Sequence, residues 1–90
     1  MNPSKKIEKL RKEIDEVDQK LMNLLLERFS ITKKIGQVKT SNSIIIDDND
    51  RENNIINHLS NKANNDLRKE DIADIFKLMF NISKNLQKIK

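Results

Sequence analysis

An all-α fold of three helices is what this sequence predicts, on three observations. The ninety residues include one glycine and one proline, whereas the turns of a β-sheet lean heavily on both. The chain is rich in Leu, Ile, Lys, Glu and Asn and has no Trp or Tyr. Apolar residues recur every three or four positions over long stretches, which is the period of a helix and not of a strand. An apolar content of 36% over this length supports one small domain, residues 1–90, and is too little for two cores.

The first helix is expected from about Lys5 to Val38, with Ser4 as its N-cap and Gly36 weakening the final turn. Its stripe reads Ile7, Leu10, Ile14, Val17, Leu21, Leu24, then Arg28, then Ile31, Ile35 and Val38. This is a heptad pattern with apolar a and d positions, and it asks for a helical partner. At 1.5 Å per residue such a helix is roughly 50 Å long, while a compact domain of this size has a radius of gyration of about 12 Å. One chain cannot fold back and cover the stripe, so a homodimer with its long helices side by side is expected. The segment Thr40 to Asp47, "TSNSIIID", breaks the period and reads as a loop. Asp47 or Asp48 then caps a second helix carrying Ile55, Ile56 and Leu59 and ending near Ala63, before the Asn-rich turn "NKANNDL". A third helix starts near Lys69 and carries Ile72, Ile75, Phe76, Met79, Phe80 and Leu86 almost to the C-terminus.

Composition also removes several functional classes. A net charge of +4 invites a nucleic-acid reading, but acidic residues alternate with Lys and Arg along the first forty positions, and Phe29, Phe76 and Phe80 all sit at helix-periodic positions. The charge excess suits a small anionic ligand on which a few cations converge. Without cysteine there is neither a disulfide framework nor a thiolate metal site. The longest apolar stretches are triplets, and "MNPSKKIEKL" lacks the apolar segment of a signal peptide, so a cytoplasmic protein away from membranes is expected.

Polar residues occupy places where each helix calls for an apolar one. Arg28 interrupts the first stripe. Extending the second stripe backward from Ile55 reaches Glu52, and extending the third forward from Phe80 reaches Ser83 and Gln87. A lone buried charge costs several kcal/mol unless it is paired, so residues of this kind on separate helices suggest a shared polar pocket inside a bundle. Each has a simpler explanation when taken alone. Arg28 could set coiled-coil register, Glu52 could answer a helix dipole, Ser83 and Gln87 could be solvated, and Asp48 with Arg51 could be a local ion pair. Arg11 and Lys39 lie on one flank of the first stripe. Arg11 is roughly 25 Å along the helix from Arg28, so the two can meet at one ligand only if antiparallel first helices pair in a dimer, which creates two composite sites.

The string "LRKEIDEVDQKLMNLLLERFSITKKIGQVK", followed by "DDNDRE" and "IFKLMFNISKNLQ", resembles the AroQ-type all-helical chorismate mutases over nearly the whole chain. The elements L-R-x-x-I-D-x-x-D, L-L-x-E-R, I-G-x-x-K, D-x-D-R-E and S-x-x-x-Q fall in order at the family's spacing. The resemblance implies an intertwined six-helix homodimer with two active sites, each built from both subunits, and the rearrangement of chorismate to prephenate on the route to phenylalanine and tyrosine. It further implies that Arg11 of the other subunit and Arg28 bind the two substrate carboxylates. Lys39 and Gln87 would donate hydrogen bonds to the ether oxygen of the breaking bond, and Glu52 would hold the ring hydroxyl with Lys39 nearby. Asp48 and Arg51 would shape the pocket and reach that hydroxyl through backbone groups, while Ser83 would assist at a carboxylate.

These residue types suit the chemistry. A dianion is well gripped by two fork-shaped guanidinium groups. A concerted pericyclic rearrangement needs no base, nucleophile, metal or cofactor, so the lone His58 is expected on the surface. The enzyme has to hold the enolpyruvyl arm in its compact reactive shape and stabilise charge growing on the ether oxygen. Family members often carry a proline before the D-x-x-R-E segment where this chain has "SNSIII", which predicts a more mobile loop and weaker substrate binding. With three residues after Gln87, a free-standing mutase or a domain of a fusion enzyme is expected. Two rivals are an isochorismate pyruvate lyase of the same fold, disfavoured by "DDNDRE", and a non-enzymatic helical dimerisation module, which leaves Arg28, Glu52 and Gln87 unexplained.

Overall fold

The computed structural model describes residues 2–46 and 48–88. They form three α-helices and, among the described residues, no strand: α1 is Pro3–Ser41, α2 is Asn49–Ala63 and α3 is Lys69–Lys88. The chain divides into two compact units, Met1–Ile31 and Thr32–Lys90. None of the described helices is long and apolar enough to cross a membrane.

α1 begins two residues earlier than its stripe suggests. Its start is set by Asn2, whose Oδ1 accepts a hydrogen bond from the Ser4 backbone N–H at 3.0 Å, and whose carbonyl accepts from the Lys6 N–H at 3.2 Å. Pro3 occupies the first helical position, where a missing N–H costs nothing and a fixed φ favours the helix. Asn2 therefore takes the capping role expected of Ser4. Within the first unit, Ile7, Leu10, Ile14, Val17, Leu21 and Leu24 are each between 48% and 61% exposed, so the stripe is laid out in register on one helix face without burial.

The other end of α1 lies in the second unit and runs past Gly36 to Ser41, into the segment expected to be a loop. The Ile44 N–H donates to the Lys39 carbonyl at 2.8 Å and the Ser43 N–H to the Thr40 carbonyl at 3.4 Å. Ser43 has φ of 56°. This is a Schellman closure, with serine at the left-handed position that usually belongs to glycine.

α2 is capped by Asp48, whose Oδ1 accepts from the Arg51 N–H at 3.0 Å. Asp47, the alternative cap, lies outside the described residues. Asp50 and Glu52 in the first turn add negative charge where the helix dipole favours it. The helix ends at the expected place, with Asn64 at φ 49° and Asn65 at φ 71°. Asparagine tolerates that region better than other non-glycine residues, which accounts for the Asn-rich turn. At the start of α3 the Arg68 guanidinium holds Asp71 with two bonds, of 2.9 and 3.0 Å, and Asp71, with Glu70 behind it, raises the Arg68 pKa above its ordinary value.

α2 and α3 pack on each other. Ile56, Ile72 and Phe80 are the buried apolar residues, with Ile55, Leu59, Phe76, Met79 and Leu86 half-buried around them. The Phe76 and Phe80 rings stand one turn apart, tilted, with centroids 6.1 Å apart, within the range of favourable aromatic pairs. Ile75, expected on the core stripe of α3, is 51% exposed in the chain, because the α2–α3 contact takes up the face defined by Ile72, Phe76, Phe80 and Ser83.

Candidate functional site

In the second unit, three helix ends carry the polar residues that the sequence singles out. Lys39 lies in the last turns of α1, Asp48, Arg51 and Glu52 at the start of α2, and Ser83 and Gln87 near the end of α3. Two direct contacts tie these ends together. The Lys84 Nζ lies 3.1 Å from Glu52 Oε2, joining the end of α3 to the start of α2. A Cβ built on Gly36 would lie 2.7 Å from the Gln87 Cα and 2.8 Å from its Cβ, so α1 and α3 cross here at a separation that only glycine permits.

Helical spacing places the rest. Ser83 and Gln87 are four residues apart, and Lys84 and Gln87 three, so Gln87 neighbours both along α3. Lys39 is three residues beyond Gly36 and lies one turn along α1 from the crossing with Gln87. Ser83 is 5% exposed and has a partner, so its place on the core stripe is real and the solvated alternative does not hold. Glu52 and Gln87 are half-buried. The Gln87 Oε1 is buried with no hydrogen-bond partner among the described residues. A buried polar atom of this kind costs about 1–3 kcal/mol.

Lys39 uses its ammonium to hold the loop. Its Nζ donates to the Ile46 carbonyl at 3.1 Å, drawing the chain back over the end of α1 just before the Asp48 cap. Asp48 and Arg51 are exposed. The Asp48 carboxylate accepts from the Arg51 backbone N–H, so in this structure Asp48 serves as a helix cap and not as the ion-pair partner of Arg51.

In the first unit, Arg11 is exposed and Arg28 is half-buried and partnered. A cleft lined by Lys5, Lys6, Lys9, Leu10 and Glu13 runs along the first turns of α1 and contains none of the predicted site residues. His58 is exposed, as expected. Sequence reasoning missed two residues: Lys84, hidden because a lysine next to a serine near a helix end reads as solvated, and Thr32, which is buried at 7% exposure. Thr32 could have been found as a neighbour of Gly36 one turn away on the same face.

The chain is thus of the class of small all-helical proteins, with a lysine, a glutamate, a serine and a glutamine set near helix ends. The comparisons narrow the class. Residues 10–88 match the family described as chorismate mutase type II, and the chain belongs to that family. A chorismate mutase of Methanocaldococcus jannaschii is 33% identical over 84 residues, spanning 92% of this chain and 85% of that protein. A bifunctional chorismate mutase/prephenate dehydratase of Aquifex aeolicus is 39% identical over 49 residues, 54% of this chain and 14% of that protein. Among solved structures, a chorismate mutase (form II) from Thermus thermophilus superposes with a TM-score of 0.89 at 29% identity, covering 94% of this chain and 97% of that one.

Proposed function

We propose that this chain rearranges chorismate to prephenate without a cofactor, in the biosynthesis of phenylalanine and tyrosine, as an intertwined cytoplasmic homodimer in which residues 1–90 form one mutase domain. The observation that carries this reading is the Gln87 carboxamide. It is held in place by the Gly36 crossing, with a buried oxygen that has no partner among the described residues. That oxygen and the ether oxygen of the substrate are both acceptors, so the amide has to turn before it can serve the substrate. Turning the carboxamide about its last bond presents Nε2 as a donor to the ether oxygen, and the free energy cost of burying the amide returns as preorganisation at the reacting bond.

The remaining roles follow from charge and reach. Lys39, one turn along α1 from the Gly36 crossing, exchanges the Ile46 carbonyl for the ether oxygen, where negative charge grows as the C–O bond breaks. Glu52 accepts the ring hydroxyl. The Asp48 cap fixes the first turn of α2, so that Arg51 and the backbone N–H groups there complete the hydroxyl pocket. Ser83 supports a carboxylate. Arg28 and, from the second subunit, Arg11 clamp the two carboxylates, with bidentate geometry selecting the compact conformer of the enolpyruvyl arm. The shared site is supported by the exposed stripe from Ile7 to Leu24, a length of apolar helix face that a symmetric copy would cover.

The test is to mix purified protein with chorismate, without added metal or cofactor, and to follow loss of the diene absorbance while the product is identified by chromatography. Prephenate as the product supports the proposal. Failure of a folded dimer to turn over chorismate overturns it, and pyruvate release from isochorismate would replace it with the lyase.

A further inference from the structure

Lys84 stands outside every motif that places the other site residues, yet its ammonium contacts the Glu52 carboxylate directly. The pair bridges the start of α2 and the end of α3, and its side chains are only 24% and 21% exposed. Exposed ion pairs contribute little, but this one is largely shielded from solvent and its lysine shares a helix face with Gln87. A carboxylate lining a site for a dianion raises a problem that Lys84 solves. Glu52 is useful as an acceptor for a hydroxyl, but its charge repels the two carboxylates of the ligand, and a cation at 3.1 Å offsets that repulsion, while an ionised carboxylate has more lone pairs than one ammonium contact uses.

We propose that Lys84 is a positioning residue for the substrate: it holds and neutralises the Glu52 carboxylate so that this group can accept the ring hydroxyl of a dianionic ligand. The inference rests on the reading of Glu52 given above. The Glu52–hydroxyl contact exists equally in the ground state and the transition state, because the hydroxyl takes no part in bond making or breaking. Loss of Lys84 therefore weakens binding and spares the chemical step.

The experiment compares the wild-type chain with Lys84→Met, Lys84→Arg, Glu52→Gln and the double variant Glu52→Gln/Lys84→Met in steady-state turnover of chorismate, with thermal unfolding measured on each. Methionine keeps the unbranched apolar stem and removes the charge. Expected is a KM raised about tenfold in Lys84→Met with kcat nearly unchanged, the scale of one lost charge-assisted hydrogen bond, and recovery to within about threefold of wild type in Lys84→Arg. In the Glu52→Gln background the methionine substitution adds nothing further, since Lys84 acts through Glu52. If Lys84→Met does not fold, Lys84→Gln carries the same comparison. A wild-type KM in Lys84→Met, beside an impaired Glu52→Gln, overturns this inference alone. A full additional loss in the double variant overturns it too, because Lys84 would then act on its own. Unchanged KM and kcat in Glu52→Gln removes the hydroxyl reading of Glu52 and this inference with it. A lowered unfolding temperature with unaltered KM reduces the pair to a structural one.

Discussion

The two units of this chain carry the same kind of apolar periodicity and treat it in opposite ways. In residues 32–88 the stripes of α2 and α3 close on each other, burying Ile56, Ile72 and Phe80 to 6% exposure or less. Along α1 up to Leu24 an equally regular stripe stays about half exposed at every position. Two short helices joined by a turn can bury each other's faces within one chain. A long helix whose stripe outruns its own chain keeps that stripe open within the chain. The contrast teaches that periodicity specifies a face and its width, while burial depends on whether a matching face lies within reach.

The sharpest way to break the contrast is to charge the exposed stripe. Val17→Lys changes a position more than one turn from both Arg11 and Arg28. An unpaired charge in an apolar seam costs several kcal/mol, and the two-fold symmetry of the proposed dimer applies it twice, so association is expected to weaken by about 10³-fold or more, with prephenate formation lost along with that dimer. Light scattering beside the chorismate assay checks this, and a fully active monomer would show that the stripe serves no interface.

The second region is tested at its chemistry. Lys39→Ala is expected to lower kcat by about 10²- to 10³-fold, the usual loss for one preorganised donor at developing charge, with the circular dichroism spectrum unchanged. Gly36→Ala acts one step back. Alanine improves helix propensity by about 1 kcal/mol, but its Cβ meets the Gln87 backbone at 2.7 Å. Overpacking of this sort costs about 1–3 kcal/mol, so a lower unfolding midpoint and a reduced kcat are expected together, through displacement of Gln87. A stabilised and fully active Gly36→Ala would show that the crossing does not hold Gln87. The smallest effect belongs to Ser43→Gly, which relieves a left-handed serine in the Schellman closure. After the extra entropy of glycine in the unfolded chain is deducted, a gain of about 0.5 kcal/mol remains, a rise of roughly 2–4 °C in thermal unfolding.

Much of this is legible in the residues. The three helices, the end of α2 at Ala63, the start of α3 at Lys69 and the place of Ser83 on a buried face all follow from period and turn chemistry. The start of α1 differs from the expected Ser4 cap, because Asn2 followed by Pro3 is an equally good local start and the proline takes the first helical position. Ile75 and Leu78 illustrate a different difficulty. They are as apolar as Ile72, yet they are 51% and 62% exposed, and nothing in the spacing of α3 says where the width of its buried face ends.

What the sequence determined alone is therefore local: helix type, caps, the faces, and the polar residues set into those faces. These depend on dihedral preferences and on neighbours within a turn or two. The tertiary structure decided which parts of those faces are buried, that Gly36 must accept the Gln87 backbone, that the Lys39 ammonium rests on the Ile46 carbonyl, and that Glu52 faces Lys84. Most of these join residues far apart in the chain, and even the short Lys39–Ile46 link depends on how the loop turns back. They depend on how helix ends meet, and no period or propensity within one helix encodes a distance to another.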